Sequence, residues 1–426
     1  MFQQRNVITG IEIGTSKICV LIGEADKNGN MVIVGHGEAP SEGAVVKGEI
    51  ADMDVALDAL TKAVDDADRS SDKEIDKDNI FVAVTGSNIS FYQGVGTVLV
   101  RTEDRKITEE HVNEAIQSAQ NNPLSSEQTA INSFDSYFLL DGVRRLRNPI
   151  EQVADKLEAY IHVIYGDRNR IRNFEELLHD VGFDEEITPV FSGVASAYGV
   201  LTDEEKANGV LIVEMGAGTT EYLAIHNYGI LYSGVLPVGF EHVANDLSIG
   251  LDLHISVCRK LLLDNKLFQA RMDDGKAFID ISGATAGISR KIPMNSIEKI
   301  IDLRMREVFK IIYHKLNEVN ILHSLSSGAV ISGGAALFPR TIDIMRNVFE
   351  LPVRLGKPVD VSGAVTHIGT PRYSTVWGLL KYGDDLRRVM NTRENKSIWE
   401  RVMGGFDNVS LPFMKTFSSL RGSIKF

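Results

Sequence analysis

Two short segments rich in Gly and Thr, about 200 residues apart, carry the residue types that cradle a phosphate group. The first runs from Gly10 to Lys17 and the second from Val213 to Glu221. Each is typical of a strand, a tight turn and a second strand, with an acidic residue just before the turn. Glycine lets the backbone approach a phosphate closely, and Thr and Ser add hydroxyl donors. One such hairpin is a weak signal, but two indicate a duplicated domain that closes on a nucleotide from both sides.

The bulk composition is that of a globular protein with more than one domain. A chain of 426 residues is too long for one compact domain, so two or more domains are expected. The net charge of −13 argues against nucleic-acid binding. Cys19 and Cys258 have neither metal nor disulfide spacing, which fits a reducing cytosol. No apolar run approaches the roughly 18 residues that span a bilayer.

Hydrophobic periodicity predicts the elements that position the two hairpins. Residues 87–166 form an αβ insert without phosphate-loop features, with a helix that begins after Thr108 as its N-cap. Residues 187–201 are predicted to be a strand followed by a small-residue helix, whose small side chains permit close packing. An interdomain hinge there is one interpretation, and simple packing is the other.

The second half of the chain is predicted to alternate long helices with a buried strand. Residues 265–294 are polar and predicted to be irregular, and a long amphipathic helix is predicted from Ser296 to Leu322. Residues 329–336 read as a buried strand that enters a Gly-Gly turn. The last helix of the fold is predicted at 372–383, capped by Ser374, before a charged stretch poor in core residues.

The carboxyl tail has the pattern of a helix that lies in a membrane interface. Its large apolar residues step by four, three and four along one helical stripe, and its charged residues are all basic, although the chain as a whole is acidic. A helix docked on the protein's own core is the alternative. The residues expected to contact lipid are Phe413, Met414, Phe417, Leu420 and Ile424, with Lys415, Arg421 and Lys425 at the edges.

Together these features resemble the FtsA family of bacterial cell-division actin homologues, within the superfamily of actin, hexokinase and heat-shock chaperone ATPases. The resemblance runs along residues 6–383 and includes the two hairpins and the Gly333-Gly334 turn. Its markers are Ile107-Thr108-Glu109-Glu110-His111-Val112, Asn148-Pro149-Ile150, Leu236-Pro237-Val238-Gly239, Asn245-Asp246-Leu247, Asp302-Leu303-Arg304 and Tyr373-Ser374-Thr375.

The resemblance implies an α/β fold of duplicated actin-like (ribonuclease H-like) domains around a nucleotide cleft, with an inserted subdomain and a C-terminal amphipathic helix. The implied units are a first actin-like domain (1–86, 167–205 and 372–383), the insert (87–166), a second actin-like domain (206–235 and 323–371), a nucleotide-capping and partner-binding subdomain (236–322), a linker (384–409) and the membrane helix (410–426).

The family binds ATP, so the resemblance implies ATP or ADP with Mg²⁺ in the cleft. The expected cofactor-binding residues are Gly14, Thr15, Ser16, Lys17, Gly216, Ala217, Gly218, Thr219, Thr220, Gly333, Gly334 and Arg259. Glu12 and Glu214 are expected to approach the metal through water, and the possible catalytic residues are Glu12, Glu214 and Glu221.

Several positions depart from the superfamily pattern. Glu12, Glu214 and Glu221 stand where Asp is usual, and Ala217 replaces a Gly of the second turn. The Ala-Glu-x-x-Lys element that touches the ribose and base aligns with residues 258–262, where Glu has become Arg259 and Lys has become Leu262. Slow or absent hydrolysis is therefore expected, since phosphoryl transfer depends on accurate placement of Mg²⁺ and water. Arg259 is either a compensating contact or a solvated side chain.

The family's partners are also implied. They are the FtsZ carboxyl-terminal peptide at Arg304, with Lys299 and Arg306 as further candidates, other copies of the chain in a filament, other division proteins through residues 87–166, and the anionic cytoplasmic face of the cell membrane at the division site. Charged residues on a helix are more often just a solvated face. A small-molecule kinase of the same superfamily is the alternative function, and a chaperone-type ATPase would need a substrate domain for which the remaining residues are too few.

Overall fold

The computed structural model describes residues 7–25, 30–71, 79–120, 124–183, 187–263, 271–273, 276–281, 290–338, 340–363 and 366–391. The predicted linker and membrane helix therefore lie outside the described residues, apart from 384–391. The strands are β1 (Val7–Ile13), β2 (Lys17–Ala25), β3 (Met31–Pro40), β4 (Val45–Val46), β5 (Glu49–Ile50), β6 (Ile80–Val84), β7 (Ser90–Leu99), β8 (Gln128–Leu140), β9 (Arg144–Leu146), β10 (Lys156–Asp167), β11 (Ile187–Phe191), β12 (Val210–Met215), β13 (Thr220–His226), β14 (Gly229–Leu236), β15 (Arg271–Asp273), β16 (Lys276–Asp280), β17 (Lys291–Pro293), β18 (Ala329–Ser332), β19 (Val353–Leu355) and β20 (Ser362–Gly363).

The α-helices are α1 (Met53–Ser70), α2 (Glu109–Gln120), α3 (Arg168–Asp180), α4 (Ser192–Val200), α5 (Asp203–Asn208), α6 (Phe240–Leu251), α7 (Ile255–Leu263), α8 (Met294–Glu318), α9 (Thr341–Phe349) and α10 (Ser374–Asn391). Short 3₁₀ turns occupy Leu322–Ser324, Gly334–Leu337, Thr366–Gly369 and Pro371–Tyr373. No helix among the described residues is long and apolar enough to cross a bilayer.

Two of the sheets have the same topology. The order β11-β6-β1-β2-β3 in the first, which β20 extends at the β3 edge, corresponds to β19-β18-β12-β13-β14 in the second. In each, the phosphate hairpin is an antiparallel pair, β1–β2 or β12–β13, and its first strand runs parallel to a later one, β6 or β18. The duplicated domain that the two hairpins predicted is therefore present.

The insert is a separate small unit with its own core. Its sheet has the order β7-β10-β8-β9, and α2 packs against it. Thr108 precedes α2 and its hydroxyl accepts the His111 amide at 3.4 Å, so the predicted N-cap is confirmed. The helix lies directly on the sheet at Gly96, where a Cβ would come within 1.9 Å of the Ala115 carbonyl oxygen.

The small-residue helix α4 packs tightly against α10. A Cβ on Gly378 would lie 1.7 Å from the Ala195 carbonyl oxygen, and one on Gly199 would lie 2.3 Å from the Ser374 carbonyl oxygen. Helix α4 also contacts β12 and β13, whereas α10 covers β1, β2 and β6. The predicted close packing is confirmed, and this helix pair joins the two domains.

Three predictions about elements are wrong in detail. Residues 265–294 are not wholly irregular, because β15, β16 and β17 form an antiparallel three-stranded sheet. Helix α10 continues to Asn391, so the linker does not begin at 384; Leu386 is buried there. Ser374 is the first residue of α10, and its hydroxyl accepts the Ser332 hydroxyl at 2.7 Å.

Candidate functional site

A cavity of about 1140 Å³ is lined by residues from both duplicated domains. The turns of both phosphate hairpins lie on its wall. The Gly14 amide donates to the Lys17 carbonyl and the Gly216 amide donates to the Thr219 carbonyl, both at 2.9 Å. The two turns are thus closed by the same hydrogen bond, as expected for duplicated phosphate loops facing one ligand.

The second turn is also tied to a helix. The carbonyls of Gly216 and Ala217 accept the Phe240 and Glu241 amides, which belong to the first turn of α6, at 3.0 and 2.9 Å. These bonds satisfy donors that a helix N-terminus leaves unpaired. A Cβ on Gly239 would lie 2.4 Å from the Ala217 carbonyl oxygen, so glycine is required at this contact.

Three glutamates converge on the cavity: Glu214 and Glu221 are buried, and Glu12 is partly exposed but has a buried Oε2 atom. Glu12 lies one residue before the end of β1, and Glu214 lies at the equivalent position of β12, directly opposite Glu221 on β13. All three line the cavity. The hydroxyl of Thr85, which directly follows β6, donates to Oε1 of Glu221, so a contact crosses from the first domain to the second.

Burial raises the pKa of Glu12, and the neighbouring Glu38 and Glu221 carboxylates raise it further against the opposing charge of Lys17. Burial, with the adjacent Glu221 carboxylate, raises the pKa of Glu214 well above its usual range. These carboxylates therefore lack an adequate counter-charge within the described part of the protein.

The glutamates suit a hard divalent cation. Oε2 of Glu12 and Oε2 of Glu221 are buried and have no hydrogen-bond partner among the described residues. Carboxylate oxygens are the protein ligands that Mg²⁺ prefers, usually with several waters retained. Two carboxylate oxygens without a hydrogen-bond partner, one from each domain, fit the ligand chemistry of such a site.

Lys17 does not project its charge freely into the cavity. Its ammonium lies 3.2 Å from a Glu38 carboxylate oxygen and 3.9 Å from the centre of the Tyr373 ring. Lys17 and Glu38 both point to the face of the first sheet that Tyr373 covers. The residue still lines the cavity, but its charge is already balanced.

Two of the expected cofactor-binding residues, Thr220 and Gly333, are not part of the cavity lining. The Thr220 hydroxyl is buried and donates to the Val238 carbonyl at 2.6 Å. Gly333 (φ 84°) packs against β12, where a Cβ would lie 2.4 Å from the Met215 carbonyl oxygen. Gly334 lines the cavity, and a Cβ there would meet no atom within 4 Å. Of the Gly-Gly turn, only Gly334 is thus open to a ligand.

Arg259 lies on the cavity wall and is paired. Its Nε lies 2.7 Å from a Glu241 carboxylate oxygen, and Leu262 also lines the cavity. The structure therefore places an Arg259–Glu241 pair and an apolar side chain where the superfamily has its Glu and Lys.

A second candidate surface lies on α8. Arg304 forms a two-pronged ion pair with Asp246 of α6, at 2.6 and 2.8 Å, and also contacts Glu307. Lys299 is exposed and Arg306 is half-buried, seven residues along the same helix. Arg304 therefore turns toward α6.

Sequence reasoning missed several residues of these surfaces. Leu303 on α8 and Ile249 on the adjacent α6 are 61% and 75% exposed, which is unusual for large apolar side chains. Lys47, in a short turn, and Arg372, just before α10, line the cavity. Lys47 and Arg372 belong to no sequence motif, so nothing in the sequence indicated their position. Leu303 stands among charged positions of a helix, and this pattern could have identified it.

Comparison with solved structures identifies the fold class. The PilM–PilN type IV pilus biogenesis complex matches with a TM-score of 0.61 and 13% identity, covering 88% of this chain and 98% of that one. MreB 5 of Spiroplasma citri, solved bound to AMPPNP, matches with a TM-score of 0.50 and 14% identity, covering 95% and 100%. At these identities the likeness shows the fold alone. Together with the repeated sheet topology, it defines a protein of duplicated actin-like domains.

Sequence comparison then gives the family. The model for cell division protein FtsA matches residues 211–378, and the model for the SHS2 domain inserted in FtsA matches residues 86–165. FtsA of Borreliella burgdorferi is 27% identical (92% of this chain, 94% of that protein), FtsA of Neisseria meningitidis serogroup B is 27% identical (95% and 97%), and FtsA of Escherichia coli K12 is 25% identical (89% and 91%). The chain belongs to the FtsA family of cell division proteins.

Proposed function

We propose that this chain is the actin-like tether of the division machinery. It polymerises at the cytoplasmic face of the cell membrane, anchors FtsZ filaments there, and recruits later division proteins through residues 87–166. ATP or ADP with Mg²⁺ acts as a structural switch, with slow or no hydrolysis. The observation that carries the proposal is the pair of equivalent phosphate turns, with their buried glutamates, that face one cavity.

Bound nucleotide would couple the two domains, since the turns that meet its phosphates belong to different sheets. Glu12 and Glu214 would hold Mg²⁺ through water, with Glu221 beside them, and the ion would neutralise phosphate charge. Glutamate is a methylene longer than the Asp usual in the superfamily. A displacement of about 1 Å can lower a rate on the order of 10²-fold, so binding without efficient turnover is the expected behaviour.

The proposed FtsZ surface is the exposed side of α6 and α8. Leu303 and Ile249 offer apolar contact, and Lys299 and Arg306 offer positive charge toward an acidic peptide. Arg304 is already paired with Asp246, so it shapes the surface and exchanges its partner only if the peptide presents a carboxylate.

The proposed membrane contact is the basic amphipathic tail, residues 410–426, which lies outside the described residues. One short helix binds a membrane weakly, but a polymer presents many such helices, and avidity converts weak sites into stable attachment.

Flotation of purified FtsZ with anionic vesicles, with and without this protein, tests the proposal. We expect FtsZ to float only when the full-length protein is present, and to float more strongly with Mg-ATP. FtsZ that stays in the soluble fraction while the protein itself floats would contradict the tether function.

A further inference from the structure

We propose that Lys47 is the phosphate-binding cation of the cleft, and that its ammonium contacts the outermost phosphate of the bound nucleotide. The inference rests on the nucleotide binding proposed above. The phosphate-binding positive charge would then come from a residue that lies outside both phosphate turns.

The backbone of Lys47 is fixed between the two phosphate turns. Lys47 and Gly48 join β4 to β5, and both have left-handed φ values, 51° and 77°, as in a two-residue type I′ hairpin. The Gly48 amide donates to the Thr15 hydroxyl of the first turn at 3.2 Å. A Cβ on Gly218 of the second turn would lie 2.9 Å from Cα of Lys47.

Gly48 is buried and closely packed against both domains, whereas the Lys47 side chain is exposed. A Cβ on Gly48 would lie 2.5 Å from the Thr85 methyl group and 3.3 Å from the Thr219 methyl group. Thr85 directly follows β6 of the first sheet, and Thr219 directly precedes β13 of the second sheet. The Lys47–Gly48 turn therefore lies at the junction of the domains. An L-residue other than Asn or Asp is uncommon in this conformation.

Among the residues that the structure describes, Lys47 is the cavity lysine or arginine without an ion-pair partner. Within those same ranges, four lysine and arginine side chains line the cavity. Lys17 pairs with Glu38 at 3.2 Å, Arg259 with Glu241 at 2.7 Å, and Arg372 lies 3.9 Å from Glu38. Lys47 forms no ion pair with any residue that the structure describes.

The charge of Lys47 reaches the second domain. Burial, and next the nearby Lys47 ammonium, lower the pKa of His242, which lies in the first turn of α6. That turn is the one bonded to the second phosphate turn. A nucleotide would add phosphate charge to a site that already holds three glutamates. An unpaired lysine at the phosphate end is therefore the protein's available counter-charge beside the metal.

Calorimetric titration of the full chain tests the proposal with Mg-ATP, Mg-ADP and adenosine as ligands. The variants are Lys47→Asn, since Asn tolerates the left-handed turn, Lys47→Arg, which keeps the charge, and Lys62→Asn as the matched control on the exposed side of α1. Unfolding midpoints without ligand verify that all variants fold.

We expect Lys47→Asn to weaken Mg-ATP binding roughly tenfold to hundredfold. Mg-ADP should lose less and adenosine nothing, while Lys47→Arg and Lys62→Asn bind like the unmodified chain. Unchanged Mg-ATP affinity in Lys47→Asn would overturn the assignment and leave nucleotide binding intact. Failure of the unmodified chain to bind any of the three ligands would refute the proposed nucleotide function itself, and the assignment with it.

Discussion

At the scale of single residues, the buried glutamates make the nucleotide-free protein sensitive to pH. The pKa values of Glu12 and Glu214 are raised above their ordinary value of 4.5, chiefly by burial. The folded protein therefore binds these protons more tightly than the unfolded chain does. The contribution of each carboxyl to stability is unaffected below pH 4.5 and becomes increasingly unfavourable as the pH rises from 4.5 through the folded-state pKa.

We predict that Glu214→Gln increases the free energy of unfolding of the nucleotide-free protein more at pH 7 than at pH 5, because the amide cannot ionise. Urea denaturation of the variant and the unmodified chain at several pH values measures the difference. The exposed Glu110 of α2, which lies outside the cavity lining, supplies a control variant, Glu110→Gln. A stability difference for Glu214→Gln that is constant between pH 5 and 8 would contradict the prediction.

Residue types were easier to predict from the sequence than residue roles. The glutamates and glycines of the cleft stand beside their turns in sequence, so the motif located them. Lys17 has the correct spacing for a phosphate contact, yet Glu38, a cross-strand neighbour two pairs away on β3, balances its charge. Lys47 has no motif, and only the folding of β4 and β5 against the turns brings it to the cavity.

At the scale of elements, the contact between α4 and α10 depends on glycine. We predict that Gly378→Ala destabilises the protein by about 3 kcal/mol, or prevents folding, because the new methyl would lie 1.7 Å from the Ala195 carbonyl oxygen. Gly369→Ala is the control, since a Cβ there meets nothing within 4 Å. Thermal unfolding measures the difference. Equal midpoints for the two variants would contradict the prediction, because the helices would then accommodate the added methyl group without loss of stability.

The exposed leucine on α8 should matter for binding and not for folding. We predict that Leu303→Ser weakens binding of the FtsZ carboxyl-terminal peptide about tenfold or more, with an unchanged unfolding midpoint. Ile311→Ser, two turns farther along α8 and 38% exposed, serves as the control. Fluorescence anisotropy of a labelled peptide measures both affinities, and equal affinities would remove Leu303 from the partner surface.

Elements with strong periodicity were predicted well, and weak ones were not. The hairpins and the long helix have apolar residues at regular spacing, which local sequence reveals. The strands β15, β16 and β17 are only three to five residues each, too short to show a periodic pattern, so their formation depends on pairing between strands that the local sequence does not reveal. The last turns of α10 were missed because the charged residues after Gly383 indicated a linker, although Asp384 and Leu386 are buried.

At the scale of the whole molecule, duplication was the most predictable property. Two similar hairpins predicted two similar domains, and the matching sheet orders confirm it. The close packing of α4 and α10 between the domains was also visible as a run of small residues. What could not be predicted is which residues meet across the cleft, such as Thr85 and Glu221, since these lie 136 positions apart.

The tail gives a prediction for the assembled protein. Deletion of residues 411–426 should abolish pelleting with anionic vesicles, because the apolar stripe and its basic edges are lost together. A full-length variant with Lys415, Arg421 and Lys425 changed to Gln should keep part of the binding and lose its salt dependence. Undiminished pelleting of the deleted chain would exclude the tail as the membrane contact.

We propose that the cleft binds nucleotide as a structural switch and turns it over poorly. Calorimetric titration of the purified full chain with Mg-ATP, followed by phosphate release on the same sample, tests this claim most directly. We predict saturable micromolar binding, dependent on Mg²⁺, with little phosphate released. No detectable binding, or rapid multiple turnover, would contradict it.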